Sequence, residues 1–270
     1  MMSLSLFKTM MKLNGKTMIS YAFGAGGYLL LAVWMYPQIA GSIEFDKIIE
    51  QMPEGFLNAF GFEGGMPDDL SGFLAAEYYG LIFLLIVMIY SILTSTQLMA
   101  RLIDRGSMAY LLATSTSRTK IALTQAFVLI LGLFVIVLFT FLSGVLGANL
   151  FMDGETFHMD RFIQINVLGF LLFFVVCSYS FFFSCLFNDE KRALSVSGGI
   201  TVLFFMISLI SKISEKLDWL QNFTLFTAYQ PDDIARGVVE VVPISIGLGV
   251  TGLLFFVLSI VVFNKRDLPL

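Results

Sequence analysis

The sequence predicts an all-α integral membrane protein with six transmembrane helices, and three observations predict it. All 16 Lys and Arg and all 20 Asp and Glu residues fall outside six long uncharged windows. Those windows run 19 to 32 residues, and the next longest uncharged stretch, Trp219–Pro231, has only 13. Hydrophobic residues make up 57% of the chain and charged residues 13%, where a soluble domain carries about 25% charged. A helix rises ~1.5 Å per residue and a bilayer core is ~30 Å thick, so about 20 apolar residues make a crossing. Each window is long enough to cross, and nothing between them is. The windows fill most of the length, so one membrane domain over residues 1–270 is expected.

Taken in order, Thr17–Ile43 predicts a span over about residues 19–37. It is too long for a signal-peptide core, holds Trp34 and Pro37, and lacks a small-x-small cleavage site, so it is expected to be retained. Ahead of it, Leu4–Met18 sets Leu6, Phe7, Met10, Met11 and Leu13 beside three lysines and predicts an interfacial helix. In the Gln38–Ala76 loop, Phe45, Ile48, Ile49, Met52, Phe56, Leu57 and Phe60 stand near helical spacing with acids opposite. That pattern fits an amphipathic helix at the interface or a loop packed on the span ends. Tyr78–Ala100 predicts the second span, at 78–100, and the 20-residue connection Arg101–Lys120 follows. Ile121–Met152 and Phe162–Asn188 predict spans at 121–147 and 162–187 across the short Asp153–Arg161 loop. Past a tight Asp189-Glu190-Lys191-Arg192 turn, Ala193–Ser211 predicts a fifth span over its own length. Beyond Lys212–Glu240, Val241–Asn264 predicts the sixth, at 243–263.

Lys and Arg collect on cytoplasmic connections. The side holding both termini carries 11 cations against four acids, and the other carries five cations against 16 acids. Both termini are therefore expected in the cytoplasm of a cell-membrane protein. The net charge of −4 comes from the outer side, which excludes a nucleic-acid binder.

Enzyme and metal chemistry find little support. His158 stands alone in a short loop, without a partner at metal-ligand spacing. Cys177 and Cys185 lie two turns apart on one predicted helix, about 12 Å along its axis, too far to bridge. Asn14-Gly15-Lys16-Thr17 resembles the tail of a phosphate-binding loop, but Met10 stands where the earlier glycine belongs. Asp232-Asp233-Ile234-Ala235-Arg236 lacks the downstream aspartates of a phosphotransferase signature and reads as a helix start behind Pro231. No ionisable residue falls inside the six windows, so any transport is expected to draw its energy from a partner.

The Arg101–Lys120 connection is the candidate for receiving that energy. Gly106-Ser107 breaks a continuing helix, and Met108, Tyr110, Leu111 and Leu112 give a short second helix an apolar face. That face docks on a partner or rests on lipid headgroups. The order Asp104, Gly106-Ser107, Leu111-Leu112, Ser117-Arg118 resembles the membrane subunit of type-2 ABC exporters. Asp stands where Glu is commoner, and Ala113-Thr114-Ser115-Thr116 replaces a stretch that usually holds Pro. The Phe263–Leu270 ending and the Tyr229-Gln230-Pro231-Asp232-Asp233 segment, which forms short re-entrant helices in that family, look similar too.

The resemblance implies a permease subunit without its own nucleotide site, exporting a hydrophobic or amphipathic cargo such as a peptide, antibiotic or lipid-like molecule. It implies separate ATPase subunits that hold ATP and Mg, and a second permease copy or a related permease. No cofactor is expected on this chain. The coupling residues it implies are Asp104, Arg105, Gly106, Ser107, Met108, Tyr110, Leu111, Leu112 and Arg118. Spans one and five usually line the permease interface in the family. Here Ser20-x3-Gly24, Ala22-x3-Gly26 and Ser195-x3-Gly199 are small-residue pairs that serve either that contact or packing within one chain. The competing reading from another class is a membrane scaffold or sensor that transports nothing.

Overall fold

The structure, a computed structural model, describes residues 3–40, 42, 51–53, 55, 57–58, 67, 69–114, 116–152, 157–213 and 215–267. Among them, six helices are long and apolar enough to cross a membrane, and no residue is in a strand. Spans 1 to 6 are Leu4–Ile39, Leu70–Asp104, Arg118–Phe151, Met159–Leu186, Glu190–Ile213 and Val241–Lys265. Most helices run past the uncharged windows that announced them. Charge marks where a helix leaves the lipid, whereas the backbone ladder continues until a cap or a break stops it.

The largest departure from expectation is at the start. Leu4–Met18 is no separate interfacial helix but the first turns of a single 36-residue helix, about 54 Å long at ~1.5 Å per residue. Asn14-Gly15 does not interrupt it, and the Asn14 amide donates to the Met10 carbonyl at 2.9 Å. Several apolar side chains of this segment find span 3, while Leu4 and Leu13 stay exposed. Phe7 meets Phe127 with ring centroids 5.6 Å apart, and Met10 and Met18 are buried. Phe45, Ile48, Ile49, Phe56 and Phe60, most of the amphipathic pattern in the next loop, lie outside the described residues.

Spans 1 and 3 run parallel along nearly their whole lengths. Ser3 N donates to Thr124 Oγ1 at 3.2 Å at one end, and Val33 lies against Gly147 at the other. Between them, a methyl added to Gly26 would come 2.5 Å from Ser143 Oγ and 2.6 Å from the Phe139 ring, so glycine permits the approach. Span 4 is the axis of the bundle: 72% of its apolar window is buried, against 28% for spans 5 and 6. Span 2 lies parallel to it, with Tyr79 against Asn166 and Ser95 against the Cys177 carbonyl. Span 6 lies on its other side, where Phe174 packs on Phe256 at 5.2 Å. Span 5 joins through Tyr179 and Thr201, whose hydroxyls are 2.6 Å apart.

At the end away from the termini, two 3-10 turns, Glu215–Phe223 and Leu225–Ala228, precede a short helix, Pro231–Arg236. Pro231 opens that helix, Asp232 and Asp233 fill its first turn, and Gly237 closes it at φ 75°. Phe226 and Tyr229 bury themselves between the spans, Phe226 on Phe205 at 5.5 Å and Tyr229 on Phe83 at 6.5 Å.

Candidate functional site

At the terminus-bearing end, span 2 breaks at Met99 (φ −126°, ψ −67°). The break removes the ladder bond that would join the Ala100 N–H to the Thr96 carbonyl. Ser184 of span 4 fills the gap: its hydroxyl accepts from Ala100 N at 2.9 Å and donates to Thr96 O at 3.4 Å. One side chain thus seals a hinge between the span and the loop beyond it. The chain continues as Ala100–Asp104, turns through Arg105 and Gly106, and forms a second short helix, Ser107–Leu112. Gly106 sits at φ 69°, a left-handed conformation that residues with a Cβ rarely take.

The Ser107–Leu112 helix divides its side chains sharply. Met108 is fully buried, Leu111 and Leu112 pack on the core while partly exposed, and Tyr110 is 81% exposed. Leu111, Thr114 and Thr116 also line a cavity of about 230 Å³ with Ser3, just ahead of span 1, and with Ser5 and Leu6 of that span. The loop is tied to the start of span 5 as well. Asp104 Oδ2 accepts from Glu190 N at 3.4 Å, and Arg101 pairs with the Glu190 carboxylate at 3.8 Å. Asp189 caps the same helix, accepting from Arg192 N at 2.7 Å. Three acids thus gather where the span 5 dipole is positive. Arg105, Gly106 and Ser107 form the exposed or half-exposed corner.

Arg118 is turned elsewhere. It donates to the Arg266 carbonyl at 2.6 Å, and Arg266 donates to the carbonyls of Cys185 and Phe187. This clasp joins the start of span 3, the end of span 4 and the tail after span 6. Burial, chiefly, lowers the Arg266 pKa from its ordinary value. Sequence reasoning missed Arg266, although a cation just past the last span signals a helix end in need of donors. Leu268, Pro269 and Leu270 lie outside the described residues.

The small-residue pairs separate into two groups. Ala22 and Gly26 are consumed within the chain: both are buried, and Gly26 lies against Phe139 and Ser143 of span 3. Ser20, Gly24, Ser195 and Gly199 are exposed, and a methyl added to Gly24 or Gly199 would meet nothing within 4 Å.

One expectation fails inside the bundle, because an ionisable group does lie within a span. Glu77 stands in a π-helical stretch, Ala75–Ile82, seven residues into span 2 and one residue before its uncharged window. Tyr28 of span 1 donates to Glu77 Oε1 at 2.6 Å, while Oε2 is covered and has no hydrogen-bond partner among the described residues. A nest of hydroxyls adjoins it: Tyr78 donates to the Ala25 carbonyl at 3.1 Å and Tyr79 to Asn166 Oδ1 at 3.1 Å. The window count passed over Glu77 because a charge at a window edge looks like a loop charge. The available signal was an acid directly at the edge of a window with Tyr78 and Tyr79 behind it.

His158 is exposed ahead of span 4, and Cys177 and Cys185 are buried free thiols. Among the described residues, no three His, Cys, Asp or Glu side chains gather to hold a metal.

Among curated proteins, none matches the chain. A family model described as ABC-2 family transporter protein matches residues 3–268. With that match over nearly the full length and six membrane-capable helices, the chain belongs to the ABC-2 family of transporter proteins, as a multi-pass permease of an ABC transporter.

Proposed function

We propose that this permease is half of an ATP-driven exporter for a hydrophobic or amphipathic cargo, working as a pair with itself or a related permease. Two ATPase subunits dock on Ser107–Leu112, with both termini and this loop in the cytoplasm. The observation that supports the reading best is the division of that helix. Met108 roots it in the bundle, and Tyr110 stands 81% exposed on the side holding 11 of the 16 cations. A solvated connector has no use for a rooted helix that displays an aromatic ring.

The geometry also offers a route for the force. When the ATPases close, the docked helix moves as a unit about the Met99 hinge that Ser184 bridges. Asp104 and Arg101 hold Glu190, so the movement reaches the first turn of span 5. Span 5 carries Ser195 and Gly199, and with Ser20 and Gly24 of span 1 these form the proposed contact with the second permease. Movement of the loop thereby changes how the two permeases meet.

The decisive experiment co-purifies the chain with its candidate ATPase and measures vanadate-sensitive ATP hydrolysis in lipid. A stable complex with vanadate-sensitive turnover is expected. A chain that binds no ATPase and supports no turnover is a scaffold or sensor. Orientation is checked by cysteine labelling from outside intact cells, in a background lacking Cys177 and Cys185. Cysteines placed at Asn58 and Asp218 are expected to react and one at Ser107 is not; reaction at Ser107 reverses the assignment.

A further inference from the structure

Glu77 is a carboxyl group without a counter-charge. Among the described residues it is the only acid more than one turn inside a span, about 10 Å along the axis from Leu70. Burying an ionised carboxylate in an apolar setting is costly unless a cation or several donors compensate it. Tyr28 supplies one donor, to Oε1; Oε2 has none, and no ion pair reaches the group among the described residues. The nearby tyrosines are committed elsewhere, Tyr78 to Ala25 and Tyr79 to Asn166. Arg161, close to the same end, gives its guanidinium to the Ala235 carbonyl.

The surroundings suit a cation that arrives from outside the chain. Glu77 remains partly exposed, and the Tyr28 ring beside it is 38% exposed. Gly24 and Gly27 flank Tyr28 on span 1, and an added methyl would meet nothing within 4 Å at either, so the helix surface there is bare. The far face of the Tyr28 ring stacks on Tyr78, with centroids 6.0 Å apart and planes at 23°. A fixed aromatic face beside a carboxylate in a low-dielectric site is the arrangement that attracts alkylammonium groups, through charge and the ring quadrupole together. Lipid tails or a facing apolar helix would cover this strip, yet neither supplies the missing positive charge.

We infer that Glu77 and Tyr28 form the headgroup site for the cargo, accepting amphiphiles with an amine or quaternary ammonium in preference to uncharged ones. Its role in export rests on the exporter reading above, because the pair lies on the span 1 face assigned to the permease contact. Binding itself does not depend on that reading.

The test uses the full chain in micelles of a nonionic maltoside detergent, which carries no ammonium group of its own, and two probes with one fluorophore, diphenylhexatriene and its trimethylammonium derivative. Trp34, 47% exposed on span 1, lies about 9 Å along the axis from Tyr28 and reports by energy transfer in a Trp219→Phe background. The cationic probe is expected to bind saturably and more tightly than the neutral one. Glu77→Gln, which keeps the acceptor for Tyr28, is expected to raise its half-saturating concentration about tenfold. Glu77→Asp should retain most of the affinity, and Tyr28→Phe should lose several-fold. The neutral probe should be unaffected by all three. Equal binding of both probes to the wild type, or an unchanged cationic titration in Glu77→Gln, overturns the assignment and leaves Glu77 a neutral acid that only braces Tyr28. Because no ATPase is present, a negative result here leaves the exporter reading standing, and absent ATP turnover in the complex leaves this binding result intact.

Discussion

Replacing Tyr110 with alanine is expected to release the ATPase from the permease, or to leave ATP hydrolysis running without transport, while the bundle stays intact. The ring is 81% exposed, so its removal costs the isolated chain almost nothing. Truncating an aromatic anchor at a docking surface typically costs about 2 kcal/mol or more, roughly a thirtyfold loss of affinity. Leu111→Asp is a blunter instrument, because Leu111 packs on the core and faces Leu6 and Met10 of span 1 across the small cavity. A charge there damages the seat of the helix as well as its contact. Co-purification, the ratio of hydrolysis to export, and thermal stability in detergent together separate the two variants. Wild-type complex and wild-type export in Tyr110→Ala would remove this helix from the coupling scheme.

The second large effect is expected at Gly144. A methyl there would collide with the Phe162 ring and come 3.1 Å from the Leu29 side chain. Phe162 cannot yield, since Phe157, Phe141 and Tyr79 enclose it at 5.0, 5.5 and 6.0 Å. One excess methylene in a packed core costs about 1–3 kcal/mol, and leucine adds several, so Gly144→Leu should fail to accumulate as a folded, monodisperse protein. Gly24→Ala is the contrasting variant. Nothing stands within 4 Å of the added group, so the single chain should fold normally, and any defect must arise on the open face of span 1, at the permease contact or beside Tyr28. Fluorescence-detected size exclusion reads both, and a well-behaved Gly144→Leu would mean that spans 1, 3 and 4 do not meet as described.

The crossings were legible because charge exclusion is a property of the solvent, and each window could be counted without knowing its neighbours. The Gly106 break and the helix behind it were legible for a similar reason, since glycine and an apolar run act locally. Partner choice was not. Leu4–Met18 has the composition of a surface helix, and only the presence of span 3 beside it draws Phe7 and Met10 inward. Ala22-x3-Gly26 and Ser20-x3-Gly24 look alike in sequence, yet the first is buried within the chain and the second is open. Ser184 and Arg266 act across gaps of 84 and 81 residues; no local pattern marks Ser184, and the position of Arg266 just past a helix end signals a donor without naming its acceptors.

The parallel seam between spans 1 and 3 sets a schedule for synthesis. Span 1 ends at Ile39, and its partner is finished only at Phe151. At about 5–20 residues per second, translating the intervening stretch takes roughly 6–20 s. Span 2 arrives first and meets Ala25 and Tyr28, but until span 3 is finished the face holding Gly26 and Leu29 must be sheltered by the insertion machinery or left solitary among lipids. Slow codons between residues 40 and 117 would lengthen that solitude and hand more chains to membrane proteases, although the finished protein would be identical in sequence.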